Sequence, residues 1–388
     1  MEPEPLLVDR LSNLPSSLIQ TILTLMPIRD AFRTTILSRN WRHRCLNLPK
    51  LEFDDRILLR QASTINTQSP NYIKCKVLHA IYTVLLLHHG PVLEFSLCVR
   101  QLPSCCEIDQ IILHLANNTT VEKFTLFMGM CIVYKIPKSL FSLKNLTHLN
   151  LKNCVVELPS TVFRFERLTS LSFHNVRIST KTLISLLSCC PILKSFVLIQ
   201  DGKRFMVSGY TDLVQLLKLM PLIQHLEMNY SLVQCFLSGV IPHSLPKMLV
   251  HLRALILYGL SFGKEDESRF IRLLVTSSPS IKKIKLEMSY NPTEAISKTA
   301  IINLFELQNN SYVKLDHLCQ LEITNFSNTK PGMDFLKLIL AKSSMLKKVR
   351  IVINNKVSVN DEVKMLRELL WHPCASARAQ IKFESGFY

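Results

Sequence analysis

Two hydrophobic rhythms divide the chain. Between Leu11 and Pro27, Leu18, Ile19, Ile22, Leu23 and Met26 recur at helical spacing and draw one wide apolar stripe. Ser12 or Asn13 can cap this helix, Pro15 suits its first turn because a missing backbone N–H costs nothing there, and Pro27 stops it. Two further short helical pieces are predicted at Arg29 to Ile36 and Ser38 to Cys45, with Ala31, Phe32, Ile36, Leu37 and Trp41 set among Arg33, Arg39, Arg42 and Arg44. A bundle of roughly 45 residues is close to the size below which a domain cannot hide its apolar surface unaided. It should lean on a partner.

After a polar connector, Arg56 to Asn71, the second rhythm begins. The frame L-x-x-L-x-L, with Val, Ile, Met or Phe allowed at the apolar positions, recurs at Val92/Phe95/Leu97, Val121/Phe124/Leu126, Leu146/Leu149/Leu151, Leu168/Leu171/Phe173 and Leu193/Phe196/Leu198. It continues at Ile223/Leu226/Met228, Leu252/Leu255/Leu257, Ile281/Ile284/Leu286, Leu318/Leu321/Ile323 and Leu346/Val349/Ile351. Steps between middle residues run from 22 to 30, apart from 37 between Ile284 and Leu321, mostly within or just above the leucine-rich-repeat range. Each frame opens a short strand, because residues at alternate positions point inward together. Helical signals fill the intervals at Ile108 to Ala116, Thr180 to Ser188, Asp212 to Met220, Glu265 to Thr276, Thr293 to Leu307 and Asp334 to Lys342, and Pro191, Pro221 and Pro279 close three of them. One such unit cannot bury its own apolar side, so the units stack. The predicted class is α/β: a three-helix N-terminal bundle and then a curved solenoid with parallel strands on its concave face and helices outside. A doubly wound sheet is the competing arrangement.

Composition narrows the function. The formal charge of +17 divides as +2 over residues 1–60, +9 over 61–280 and +6 over 281–388. A spread-out excess without basic blocks argues for attraction to acidic partners and against a nucleic-acid partner. Met1 to Asp9 holds three acidic residues and no apolar segment, so it does not read as a signal peptide, and no apolar run approaches the ~18 residues a membrane span needs. An intracellular protein of the nucleus, the cytoplasm or both is expected, with its 12 cysteines as reduced thiols. Chemistry is not visible. No GxGxxG, GxxxxGK[ST], HExxH, GxSxG or zinc spacing occurs, His88-His89 reads as a loop, and Cys154 sits where leucine-rich repeats place a turn-bonding Asn or Cys. No catalytic residue, cofactor or metal is expected.

Residue identity in the first fifty residues says more than periodicity. Leu14-Pro15, Ile22-Leu23, Leu25 with Pro27, Asp30-Ala31, Thr35, Ile36-Leu37-Ser38-Arg39, Trp41-Arg42 and the trailing Leu51, Phe53-Asp54-Asp55 closely resemble the plant F-box, departing at Asn40 and at Cys45, where a second Trp is common. Leu315, Leu318, Leu321, Ile323, Asn325-Phe326, Pro331-Gly332, Phe335-Leu336 and Leu346 look like the opening of the plant FBD module. Its ending resembles Leu369-Leu370, Pro373, Ala375-Ser376, Ala379 and Ile381, with Cys374 in place of the usual Arg. The resemblance to F-box/FBD/leucine-rich-repeat proteins implies a tail at 1–8, an F-box at 9–55, a connector and N-terminal cap at 56–90, repeats at 91–310 and an FBD module at 311–388 that continues and caps the solenoid.

The resemblance further implies a non-catalytic substrate receptor of a Skp, cullin and F-box ubiquitin ligase. By position it assigns Leu14, Pro15, Ile19, Ile22, Leu23, Leu25, Pro27, Leu37 and Trp41 to the interface with a Skp-type adaptor, and through it a cullin, or to the support behind that interface. Counting by alternation, the concave face offers His148, Asn150, Ser170, Ser172, His225, Glu227, Ile256, Tyr258, Lys283, Lys285, Glu322, Lys348 and Arg350, of which His148, Asn150, His225, Tyr258, Lys283, Lys285, Lys348 and Arg350 are the target-binding candidates. The basic character of the later strands, interrupted by Glu287 and Glu322, points to an acidic or phosphorylated target. The alternatives are a repeat scaffold or a small-ligand co-receptor acting independently of ubiquitin transfer.

Overall fold

The computed structural model describes residues 11, 13–59, 70–100, 106–117, 120–130, 134–158, 164–200, 213–237, 245, 249–289, 315–327 and 329–385. It divides into two compact units, Met1–Leu168 and Thr169–Tyr388. The predicted helix over 293–307, the tail at 1–8 and most of the polar connector lie outside the described residues.

The first unit opens with helices α1 (Ser16–Leu25), α2 (Ile28–Arg33, extended by a 3-10 turn over Thr34–Ile36) and α3 (Arg39–Cys45). Of the two capping candidates Ser12 lies outside the described residues, and Asn13 does not cap α1. Pro15 is the N-cap residue, no side chain bonds there, and its carbonyl accepts from Leu18 and Ile19. Then come β1 (Lys50–Asp54), α4 (Asp55–Leu59), α5 (Pro70–Leu87), β2 (Glu94–Val99), α6 (Glu107–Asn117), β3 (Lys123–Met128), β4 (Tyr134–Lys135), β5 (His148–Lys152) and β6 (Cys154–Val155). Strands β1, β2, β3 and β5 pair parallel in chain order, and β4 pairs with β6 in a separate ribbon. Helix α5 was not legible in the sequence, where the stretch after Arg56 read as connector and cap. Its mostly apolar course carries little amphipathic contrast to mark a face.

The second unit repeats strand and helix with few exceptions: β7 (Ser170–His174), α7 (Thr180–Ser188), β8 (Ser195–Ile199), α8 (Leu213–Lys218), β9 (His225–Asn229), α9 (Tyr230–Leu237), β10 (Ala254–Leu260), α10 (Glu265–Thr276), β11 (Lys283–Met288), β12 (Gln320–Phe326), α11 (Lys330–Lys342), β13 (Lys348–Ile353), α12 (Val359–Leu370) and β14 (Gln380–Ser385). Each strand from β7 to β14 pairs parallel with the next, in chain order. A doubly wound sheet reverses its strand order at a switch point, and this sheet does not.

All ten frames land on strands, and their thirty apolar residues are at most 2% exposed. One further strand carries a full frame and another carries part of one, with Arg378 at its first position. Leu48, Leu51 and Phe53 form the full frame, so the residues taken as the tail of the F-box are the first strand of the sheet, with Leu51 opposite Phe95 and Phe53 opposite Leu97. At the other end β14 brings Ile381 opposite Val349 and Phe383 opposite Ile351. Ile381 is 36% exposed. The FBD segment therefore continues the sheet, and among the described residues its last strand is itself the edge.

A second device holds the turns after the strands. Two residues beyond the last apolar position of a frame stand Asn153, Asn175 and Asn325, all at positive φ, with Gly259 at φ 73° and Gln200 in the same place. The Asn153 amide donates to the Met128 carbonyl at 2.6 Å, Gln200 to Val176 at 2.7 Å and Asn325 to Met288 at 2.6 Å. Asn tolerates the left-handed region better than most residues, and its amide replaces the backbone partner that the bend removes. Asn153 therefore holds the ladder position that the sequence reading gave to Cys154. That thiol is fully buried, bonds the carbonyl of Lys152, and has its pKa pushed up by burial.

Candidate functional site

The N-terminal bundle sorts its own residues into two sets. Ile19, Leu23 and Trp41 are 0, 1 and 3% exposed and form its interior with Ile28, Ala31, Cys45 and Leu48. Ser38 caps α3 by accepting from the Trp41 N–H, and the Trp41 indole N–H donates to the Leu11 carbonyl at 3.0 Å, tying the segment before α1 to α3. Cys45 is buried, and its pKa is pushed up to about 12 by desolvation. Pro15, Ile22, Leu25, Pro27 and Leu37 are exposed and Leu14 is half-buried. Leu18, Ile22 and Leu25 follow one another at four and three residues along α1, so they share a face. Leu18, Ile36 and Leu37 are 50, 83 and 47% exposed, and Leu25 is 82% exposed. Two of the five residues of the apolar stripe predicted for α1, Leu18 and Ile22, are thus left exposed.

A cavity of about 320 Å³ lies where the α1–α2 corner meets β1 and α4, walled by Leu23, Met26, Ile28, Leu48 and Leu58 among others. Its charged residues are engaged: Lys50 pairs with Glu52 at 2.9 Å and Asp54 with Arg100 at 2.7 Å.

The open face of each sheet carries the residues that alternate with the buried frame. In the first unit His148 and Asn150 stand on β5, and the His148 ring bonds the Thr147 hydroxyl at 2.9 Å. Burial lowers its pKa, and Lys123 adds to the effect. In the second unit Glu227 gathers two candidates: His225 bonds one carboxylate oxygen at 3.1 Å and the Tyr258 hydroxyl donates to the other at 2.7 Å. The ammonium of Lys285 lies 5.9 Å from the centre of the Tyr258 ring. Further on, Arg350 bonds Glu322 at 2.9 Å and Glu384 at 2.7 Å, Lys285 approaches Glu322 at 4.0 Å, and Lys382 pairs with Glu384 at 2.7 Å. Arg350 and Lys382 together hold the Glu384 pKa down to about 2. Lys285 and Arg350 are therefore partly neutralised. Lys283 and Lys348 lie beside no carboxylate among the described residues.

The Glu227 cluster makes a pH prediction. The hydrogen bond from His225 lowers the Glu227 pKa most, Tyr258 adds to it, and burial opposes both. A carboxylate depressed in the folded state stabilises above its unfolded pKa, and that contribution disappears as pH falls through the lower, folded value. Wild type is expected to exceed Glu227→Gln in urea midpoint at about pH 6, with the gap closing below about pH 4. A gap that stays constant across that range would remove Glu227 from the account.

Among the described residues no group of His, Cys, Asp and Glu could hold a metal ion, and no helix is long and apolar enough to cross a membrane. His88 bonds the Leu48 carbonyl at 2.8 Å, which occupies one ring nitrogen.

Chain-ordered parallel strands, a buried six-residue frame and an asparagine-bonded turn define a leucine-rich-repeat protein, here preceded by a short helical bundle with an uncovered apolar face. The F-box domain family matches residues 11–53, and the repeats of the FBD-associated F-box protein At5g56370 match residues 108–209. The F-box/FBD/LRR-repeat protein At1g13570 of Arabidopsis thaliana is 29% identical over 97% of this chain and 98% of its own length. The FBD-associated F-box protein At5g56370 of the same plant is 31% identical over 50% of this chain and 44% of its own. Among solved structures, the plant peptide hormone receptor RGFR1 in complex with RGF2 covers 79% of this chain and 49% of its own at 15% identity, with a TM-score of 0.31. Along nearly its whole length the chain is similar to a plant F-box/FBD/LRR-repeat protein, with an F-box match over its N-terminal bundle and a match to FBD-associated repeats further on. F-box and repeat families of this kind imply a substrate-adaptor role in Skp, cullin and F-box ligases, and F-box domains generally bind Skp1-type adaptors.

Proposed function

We propose that this chain is a non-catalytic substrate receptor whose N-terminal bundle docks on a Skp-type adaptor and whose repeats hold a target protein for ubiquitination. The observation that carries the docking half is the uncovered α1 face. A folded bundle of this size leaves Leu18, Ile22, Leu25, Ile36 and Leu37 between 37 and 83% exposed, an apolar surface that costs free energy until a partner covers it. In this reading Leu14, Pro15, Ile22, Leu25, Pro27 and Leu37 meet the adaptor, and Ile19, Leu23 and Trp41 support them from within. Leu18 and Ile36 join the docking set. The spacing of Leu18 was legible in the sequence, whereas the exposure of Ile36 depends on how the 3-10 turn packs. Target recognition falls to the open strand faces, and catalysis to the proximity a scaffold supplies.

The test uses point variants in the full chain, because deletion of residues 1–55 would also remove β1 and strip Phe95 of its neighbour. Leu25→Asp with Leu37→Asp is expected to reduce co-purification of a co-expressed Skp-type adaptor by about tenfold or more, since each places a charge in an apolar contact. The thermal melt should stay near that of wild type. Capture of the adaptor at wild-type level by the double variant would overturn the docking surface.

A further inference from the structure

The second unit carries a line of cations that the paired residues of its open face do not neutralise. Just before each strand the chain makes a backbone bond to the preceding turn, and these bonds form one continuous row. The Lys194 N–H donates to Thr169, Gln224 to Lys194, Arg253 to Gln224, Lys282 to Arg253, Cys319 to Lys282 and Lys347 to Cys319, all between 2.7 and 2.9 Å. The row fixes Lys194, Arg253, Lys282 and Lys347 along the rim at the N-terminal ends of the strands. From β8 to β13 there are five strand steps, so the line spans about 24 Å. All four side chains are exposed, and none has an ion-pair partner among the described residues. Lys283 and Lys348, one residue further on, extend it onto the open face. In the first unit the equivalent row is Pro49, Leu93, Glu122 and Thr147, without a cation.

Two residues before Lys194, Gln224 and Lys347 in the row, each directly before the first residue of a frame, stand Ile192, Leu222 and Met345, which are 36, 36 and 51% exposed. The rim thus carries aliphatic surface as well as cations, and Asp316 is the acidic residue among the four positions that precede each of the strands β8 to β13. A nucleic acid would ask for stacking aromatics beside the cations, and the rim positions hold none. An acidic peptide with interspersed aliphatic residues matches both features, because its carboxylates meet the ammonium line while its apolar side chains cover Ile192, Leu222 and Met345.

We propose that the Lys194–Arg253–Lys282–Lys347 rim is the docking line for an acidic, aliphatic-bearing segment of a partner protein. The inference rests on the receptor reading only in taking that segment to belong to the target. Its test binds the intact chain to a fluorescein-labelled peptide of about twelve residues, Glu-Glu-Leu repeated, followed by anisotropy. Lys194→Gln, Arg253→Gln, Lys282→Gln and Lys347→Gln together are expected to weaken binding about tenfold or more, and raised salt should do the same. Lys181→Gln with Lys364→Gln, exposed cations on helices α7 and α12, should change it less than about twofold. Wild-type binding by the fourfold variant would overturn the proposal. So would equal binding of a Glu-Glu-Ser peptide, or tighter rim-dependent binding of phosphatidylserine vesicles or duplex DNA. The Leu25→Asp, Leu37→Asp variant should keep the peptide, so loss of the adaptor and loss of the rim are read separately.

Discussion

Replacing Phe95 by alanine is expected to lower the unfolding free energy of the first unit by about 3–5 kcal/mol, read as a shift in urea midpoint with the slope unchanged. Phe95 is 1% exposed, and its ring lies 5.8 Å from that of Phe53 on β1 and 5.9 Å from that of Phe124 on β3. Phe95 and Phe124 stand at one register level and Phe53 sits one inward position further along β1, diagonal to Phe95, so truncating the middle ring opens a cavity that neither neighbour can close without breaking the ladder. The loss should reach the N-terminal bundle, since β1 follows directly on its last helix and Leu48 belongs to both. Adaptor capture should therefore weaken along with stability. A change below about 1 kcal/mol would mean that the site collapses easily and that the aromatic column is not what holds β1 in place.

Asn153→Ala is the second large effect, expected at about 2–4 kcal/mol from two sources. The variant leaves the buried Met128 carbonyl without the amide that now reaches it at 2.6 Å, and it places a residue with little tolerance for the left-handed region at φ 58°. Asn153→Gly separates these causes. Glycine adopts that backbone freely but cannot restore the hydrogen bond, so it should recover roughly the 1–2 kcal/mol due to backbone strain. If alanine and glycine destabilise equally, strain contributes nothing and the amide bond is the whole effect. If both are neutral, the turn ladder is ornamental to stability.

What could be read from the chain depended on whether a local period carried the information. The ten frames needed only the spacing of apolar residues, and the repeats whose helices have a clear amphipathic stripe, such as Glu265–Thr276, were placed to the residue. β1 was missed because the F-box motif and a repeat frame overlap at Leu48, Leu51 and Phe53, and the motif claimed those residues first. Cys154 was given a role that belongs to Asn153, because only the positive φ shows which of two neighbouring polar residues faces the turn. In the candidate sites, alternation counted residues onto the open face without telling which of their charges are matched, and Ile256, counted there, is buried.

The sequence by itself determined that the chain is built of repeated strand-and-turn units following an F-box-like segment, since one such unit cannot bury its apolar frame alone. Only the tertiary structure decided which F-box leucines stay outside, which basic residues are matched by carboxylates, and which form an unmatched line. Those distinctions depend on distances between strands some thirty residues apart in the chain, and no linear spacing encodes them.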